Sequence, residues 1–379
     1  MDSSAYSNGH VVFFHPYFRD GGVERTNIGL SKELIKLGYK VSFITIKPSN
    51  HYLEEVQTSG IELIVLPSKS TLGAQLKFSQ WIRNKRKIKT PLIVISCQYY
   101  VNILCLLFRP FWGRNVQHIL SERNHLDEFN VNQYGFKQKI VRLLIPVLYR
   151  FADVVIGNSK ELANDLEKVV GRPVGVVYNP TINERLYELA AEEITEKWFL
   201  LLKKPIFIAV GRLSKQKGFD TLVKAFAIYL KSRDATLLIL GDGQERLALE
   251  ALAKKEGLTD YLVMPGFVNN PHKFVMAADV FVLSSRYEGL PNVLIEALAL
   301  RTPVVATNCK SGPTEILGNG RWGKLVGVDN VNEMSKALLS LVNNYDEAMR
   351  ITLDAKKSLS CFTPKQASHN LVSVFHDGL

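Results

Sequence analysis

Two glutamates with seven residues between them, Glu288 and Glu296, bracket the run Gly289-Leu290-Pro291-Asn292. An apolar stretch from Val280 to Leu283 precedes them and reads as a buried strand. The run VLIEALAL reads as an apolar helix, and Pro303 to Ala306 as the next strand. Proline suits a first helical turn, where a backbone N–H has no intrahelical acceptor anyway. The amides of Gly289, Leu290 and Asn292 then face outward from the positive end of a helix, which is an anion site. Two acids beside an anion site fit a ligand that carries phosphate and hydroxyls together, as nucleotide-sugars do. The plainer alternative is a solvated loop acid at 288 and an exposed helical acid at 296. Against it, Glu296 stands among apolar neighbours, and a carboxylate there needs a donor. Farther upstream, Gly211-Arg212 ends the apolar run IFIAVG, and Lys217-Gly218 closes the same loop ahead of a helix. An arginine fork and a lysine point charge so placed can neutralise a diphosphate. Their alternative is a pair of exposed loop cations.

These residues need strands and helices to hold them. HVVFFH at 10–15 reads as a strand, and FRDGGVERT leads into a helix through about Leu37, stopped by Gly38. Gly21 and Gly22 thus sit where a strand feeds a helix, the edge at which doubly wound sheets bind ligands. KVSFITI, ELIVLP, LIVIS, VQHILSER, VVIGNS and VGVVYNP continue as strands, with a basic helix expected over 72–89 and an apolar one over 99–109. Asn179-Pro180 marks a break, and 181–203 reads as mainly helical. The alternation restarts with IFIAVG, TLLILGDG, YLVMPGF, VFVLSS and PVVAT, and 363–377 is a last helix. Two β-α series joined by a linker predict an α/β chain of two facing doubly wound domains with a cleft between them. The expected boundaries are 1–183, a linker at 184–204, 205–362, and a terminal helix over 363–379.

The segment EGLPNVLIEAL resembles the E-x7-E signature of retaining family 4 glycosyltransferases, which have the GT-B fold. Four further pieces follow that family's order: FRDGGVERT at 18–26, VGRLSKQKGFD at 210–220, LGDGQER at 240–246, and PGFV at 265–268 ahead of AADVFVLSS. The resemblance covers most of the chain and is strongest from about 205 to 330. It implies an acceptor-binding Rossmann-like domain first, a nucleotide-sugar-binding one second, and a last helix that crosses back to the first. Arg212 and Lys217 become the diphosphate clamp, Glu288 the contact to the donor sugar's hydroxyls, and Glu296 the contact to the ribose. Arg212, Lys217 and Glu288 are the expected catalytic group. Gly21, Gly22, Gly211, Gly289, Leu290 and Pro291 fall on the donor side. Gly241 and Gly243, with Phe267 and Val268, would line the nucleotide.

The resemblance also implies retention of configuration, by a front-face displacement in which the leaving phosphate oxygen accepts the acceptor's proton. A double displacement through Glu288 is the alternative route. No cofactor is expected, because the nucleotide-sugar is a substrate. No metal is expected either, since the cationic clamp takes that role and no D-x-D pair occurs. Where many members carry a His-Asp pair, this chain has Ser121-Glu122-Arg123-Asn124, a variant associated with enzymes of bacterial surface polysaccharides. Glu122, Arg123 and His118 are therefore the acceptor-side candidates, with His125 also flanking. A histidine in an apolar strand can equally be structural.

Composition sets the remaining bounds. A chain of 379 residues, 46% hydrophobic, can bury two cores of ordinary size. Four scattered cysteines without a C-x-x-C pair argue against zinc or disulfides and fit a reducing cytoplasm. The polar start MDSSAYSNGH predicts no cleaved secretion signal. Thr90 to Phe108 has no charge over 19 residues, close to bilayer length. Its polar residues and the run LIVIS favour a strand and a short helix instead. No Asp or Glu occurs from Leu63 through Ser121, a stretch with nine basic residues, and 130–152 is acid-free as well. Such a field attracts polyanions. The expected partners are a UDP-linked nucleotide-sugar, a polyprenyl-diphosphate-linked saccharide, and an anionic membrane surface met from the cytoplasm. The basic region lacks a nucleic-acid motif. A soluble sugar acceptor, a nucleotide-sugar epimerase and a non-transferring binding protein are the competing readings.

Overall fold

The computed structural model describes residues 8–16, 22–47, 52–85, 90–123, 136–356 and 358–377. Gly21, Asn124 and His125 lie outside the described residues. Residues 1–180 together with 363–379 form one compact unit, and 181–362 form a second.

The first unit is built on seven strands: β1 (Gly9–Phe14), β2 (Tyr39–Thr45), β3 (Glu62–Val65), β4 (Leu92–Cys97), β5 (Val116–Glu122), β6 (Val154–Gly157) and β7 (Gly175–Val176). They lie in the order β3-β2-β1-β4-β5-β6-β7, and every ladder among them is parallel. β1 and β4 are buried at each position, as parallel strands covered on both faces must be. Alternate side chains sort to the two faces. Val11 and Phe13 pack with Ile28 and Leu34 of the helix Gly22–Lys36 and with Leu371 and Phe375 of the last helix, Pro364–Asp377. Val12 and Phe14 pack with Phe78 and Ile82 of the helix Thr71–Lys85.

The uncharged segment 90–108 divides into β4 and the ten-residue helix Tyr99–Phe108. Among the described residues no helix is long and apolar enough to cross a membrane. The acid-free stretch after residue 130 contains the helix Phe136–Leu148, which charge alone did not reveal.

In the second unit β8 (Ile206–Val210), β9 (Thr236–Leu240), β10 (Leu262–Gly266), β11 (Val280–Leu283), β12 (Val304–Thr307) and β13 (Lys324–Val326) lie in the order β10-β9-β8-β11-β12-β13, again all parallel. Residues 184–204, expected as a linker, fold as the helices Glu184–Ala190 and Lys197–Leu200 inside this unit. Asn183 caps the first by accepting the Leu186 amide, and Phe199 packs on Phe274. The segment is held by its own cap and a core contact, so it belongs to the unit rather than joining two. β13 has three residues, too short for an apolar run to announce it.

The last helix fills one face of the first unit's core, where Phe375 is 2% exposed and meets Tyr39 edge-on at 5.6 Å. Phe375→Ala should therefore cost about 3–5 kcal/mol of stability. Denaturant unfolding followed by tryptophan fluorescence checks this; a loss below about 1 kcal/mol would contradict the packing described.

Candidate active site

In both sheets the strand order reverses once, between β1 and β4 in the first unit and between β8 and β11 in the second. Loops that leave the carboxyl ends of strands at such a reversal diverge and open a crevice. In the second unit those loops are Gly211–Gly218 after β8 and Ser284–Pro291 after β11. They hold most of the residues expected from the sequence.

Lys217 and Glu288 meet there. Lys217 Nζ stands 2.7 Å from Glu288 Oε1, with the two side chains 18% and 9% exposed. Ser285 Oγ donates to the same carboxylate oxygen at 2.6 Å. Glu288 Oε2 has no hydrogen-bond partner among the described residues. The solvated-acid alternative for Glu288 therefore does not hold. The Lys217 stem runs across Gly211, where an added Cβ would come within 3.3 Å of Lys217 Cε. Glycine at the strand end is what lets the ammonium reach across the loop.

Arg286 ties the two loops together. Its Nη2 donates to both carboxylate oxygens of Asp220, at 2.8 and 3.0 Å, and its Nε to Asp329 Oδ2 at 3.0 Å. Thr221 Oγ1 donates to Asp329 Oδ1 at 2.8 Å. Burial works against the Arg286 charge, but the two carboxylates outweigh it and hold the guanidinium well above its ordinary range. Burial likewise opposes the Asp329 charge, and Arg286 and Thr221 outweigh it in turn. Ser284 Oγ to Lys217 O and Gln216 Nε2 to Tyr287 O add two more links.

Past Glu288 the chain is fastened from below. The Glu288 amide donates to Lys310 O, and Ser311 donates through its amide to Glu288 O and through Oγ to Gly289 O. The amides of Gly289 and Leu290 have no acceptor among the described residues. Pro291 is the residue before the helix Asn292–Ala299, one position earlier than expected. Glu296 is 6% exposed on that helix, with Oε2 3.7 Å from His272 Nδ1. Arg212 sits exposed in the β8 loop with no ion-pair partner among the described residues. Burial, and then Glu288, raise the nearby Cys309 thiol to about 12.

The remaining expected residues lie at other strand ends and loops. Gly241 and Gly243 face the β8 loop, where an added Cβ would stand 2.0 Å from Gly211 O and 2.4 Å from Leu213 O. Backbone packing therefore accounts for glycine at both. Phe267 is 76% exposed and Val268 half-buried, beyond the end of β10. Gly22 opens the first helix of the other unit. Sequence reasoning passed over Ser285, Arg286, His272, Ser311 and Asp329. Ser285 and Arg286 adjoin Glu288 and could have been weighed with it. The others come from distant segments and carried no local signal.

In the first unit the carboxyl ends of β1 and β5 carry a polar network. Arg123 donates from Nη1 to Asn179 Oδ1 at 2.6 Å and from Nη2 to Asn27 Oδ1 at 2.9 Å. Asn27 Nδ2 in turn lies 2.8 Å from His15 Nε2. Burial lowers the Arg123 pKa against the pull of Cys97 and the acids nearby. Glu122, next in the chain, points into the core, where Asn102 donates to it at 2.6 Å and Tyr149 through its hydroxyl. His118 is fully buried, 2.9 Å from Ser96 Oγ and edge-on to Trp112. The expectation of an acceptor-facing His118 and Glu122 is thus corrected: His118 is buried against Ser96 of β4 and Trp112, and Glu122 against Asn102 and Tyr149, because alternation in β5 turns both inward.

Burial, helped by Arg109, lowers the His118 pKa to about 3; burial and Arg123 lower His15 to about 3 as well. Unfolded histidine titrates near 6.5, so below that pH the unfolded chain binds more protons and stability falls toward pH 3. Above 6.5 this contribution is flat. His118→Asn should flatten the acid limb by about 1.4 kcal/mol per pH unit between pH 6 and 4. Denaturation midpoints across that range check it, and an unchanged slope would contradict a neutral buried imidazole.

Two family models match the two halves of the chain. The family model described as Glycosyltransferase Family 4 matches residues 20–185, and Glycosyl transferases group 1 matches residues 190–358. The chain is 30% identical over 335 residues to N-acetylgalactosamine-N,N'-diacetylbacillosaminyl-diphospho-undecaprenol 4-alpha-N-acetylgalactosaminyltransferase of Campylobacter jejuni, covering 86% of this chain and 87% of that one. It is 34% identical over 355 residues to the lipopolysaccharide core biosynthesis glycosyltransferase LpsE of Rhizobium meliloti, covering 90% and 91%. Its fold matches that of Anabaena HepE, crystallised with UDP and glucose, at a TM-score of 0.80 and 17% identity over 98% and 100% of the two chains. The α/β architecture is that of the GT-B fold, and the chain belongs to the glycosyltransferases of family 4, whose second half is the group 1 glycosyl transferase domain.

Proposed function

We propose that the chain is a retaining, metal-independent glycosyltransferase. It moves a hexose or N-acetylhexosamine from a nucleotide-sugar, UDP-linked by preference, to a hydroxyl of a polyprenyl-diphosphate-linked saccharide. Its place would be the assembly of a bacterial O-antigen, capsule or exopolysaccharide, at the cytoplasmic face of the membrane. The observation that carries this reading is the Lys217–Glu288 pair between the two diverging loops, beside the open amides of Gly289 and Leu290. The diphospho-undecaprenol substrate named for the Campylobacter relative supports the acceptor class, and the lipopolysaccharide core biosynthesis named for LpsE supports the surface-polysaccharide setting.

The chemistry follows from where charge must develop. Breaking the anomeric C–O bond leaves negative charge on the departing diphosphate and positive charge on the sugar. Lys217 and Arg212 oppose the first, together with the two amides at the mouth of the helix Asn292–Ala299. Fixed donors of this kind cost little reorganisation as the bond breaks. Glu288 Oε1 is committed to Lys217 and Ser285, which leaves Oε2 to accept a donor-sugar hydroxyl. Glu296 takes the ribose hydroxyls. The departing phosphate oxygen accepts the acceptor's proton, so no protein base is required.

Lys217→Gln and Glu288→Gln remove one charge each while keeping a hydrogen-bonding group in place. Each should lower kcat/KM on the order of a hundredfold to a thousandfold. An unchanged kcat/KM in either variant would remove the assigned role. A panel of UDP- and GDP-sugars, read by protection from thermal unfolding, identifies the donor. No protection by any of them would contradict the donor reading.

A further inference from the structure

One layer of the first unit carries a surface that donor chemistry does not use. The helix Phe136–Leu148 and the turn after it pack inward through Ile145 and Tyr149, both 0% exposed. Their outward face is apolar too. Ile140, Leu143, Val147 and Phe151 recur at helical spacing and are 40%, 74%, 53% and 65% exposed. A helix that faced water on its outer side would carry polar residues there. On the adjoining helix Tyr99–Phe108 and the turn beyond it, Leu107 and Phe111 extend the stripe at 51% and 59% exposure. Both helices bury their inner faces in one core cluster, so both outer stripes lie on the same side of this unit.

Charge decides what such a face would meet. The charged residues from 136 to 152 are Lys137, Lys139, Arg142 and Arg150, all basic. Arg142, Arg150 and Arg114 are exposed beside the stripe. Two of the acids nearby are engaged: Asp153 pairs with Arg109 at 3.0 Å and Asp165 with Lys168 at 3.1 Å. A second copy of this chain, brought face to face, would set arginine against arginine. An anionic bilayer satisfies both features at once, taking apolar side chains at the acyl boundary and cations among the headgroups.

We propose that this two-helix layer is a membrane-docking surface. Leu143, Val147 and Phe151 enter the interfacial zone of an anionic bilayer, and Arg142 and Arg150 contact its phosphates. The proposal rests on the reading that the acceptor is lipid-linked, and it narrows membrane contact from the acid-free stretches 63–121 and 130–152 to a defined apolar stripe within the second and its neighbour. Binding then has two separable parts, one that salt screens and one that it does not.

Co-sedimentation of the full chain with phosphatidylcholine vesicles, with and without phosphatidylglycerol, tests it at about 0.1 M and about 0.5 M salt. The wild type should bind the anionic vesicles and keep part of that binding at high salt. Leu143→Ser with Val147→Ser should weaken binding by roughly tenfold or more and abolish the salt-resistant part. Arg142→Gln with Arg150→Gln should remove the preference for phosphatidylglycerol. Melting temperatures and nucleotide-sugar protection, measured in parallel, should match the wild type in both variants. Equal vesicle binding by the serine variant and the wild type would overturn the inference. So would a serine variant whose only change is a loss of self-association by light scattering. Either outcome would leave the donor reading standing, because nucleotide-sugar protection reports on that separately.

Discussion

The second unit depends on one ion pair that is nearly withdrawn from water. Lys217 and Glu288 come from loops 71 residues apart in the chain, and both side chains are largely buried. Burying a lysine and a carboxylate together gains little stability, because desolvation cancels much of their attraction. Removing one partner strands the other charge, which is costly. Such a pair is therefore better understood as a restraint on position than as a source of stability. It holds an ammonium at the end of β8 and a carboxylate at the end of β11, with Ser285 fixing the oxygen they share. Arg286, clamped between Asp220 and Asp329, keeps the two loops from drifting apart.

That restraint would be useless without the strand order. Because β8 and β11 are neighbours while their helices leave on opposite faces, the following loops must part. The crevice is a consequence of topology, and the charges are its furnishing. The first unit repeats the order between β1 and β4, and there too a polar network gathers at the strand ends. Arg123, Asn27, Asn179 and His15 form it, with two amide oxygens accepting from the guanidinium. Glu122, its neighbour in the chain, is spent on Asn102 and Tyr149 inside the core.

Much of this was legible in the sequence, for definite reasons. Parallel strands covered on both faces read as unbroken apolar runs, so β1, β4, β8, β9, β11 and β12 announced themselves. Glycines and prolines punctuated the loops that carry Lys217 and Glu288, and spacing alone set Glu288 and Glu296 astride a helix start. Less was legible where local signal is weak. β13 is three residues long, and the segment 184–204 looked like a linker because its helices are short. The side on which His118 and Glu122 fall is a matter of strand register, and a run such as HILSE is apolar or buried on both sides. His272, Asp329 and Ser311 reach the site from segments that nothing in the order of residues joins to it.

The central claim is that Lys217, Arg212 and the Leu290 amide share one anion, the diphosphate of an activated sugar. A crystal structure of the chain with an intact nucleotide-sugar tests it most directly. The account predicts phosphate oxygens within hydrogen-bonding distance of Lys217 Nζ and the amides of Gly289 and Leu290, with a sugar hydroxyl on Glu288 Oε2. A diphosphate bound elsewhere, with Lys217 still paired only to Glu288, would contradict it.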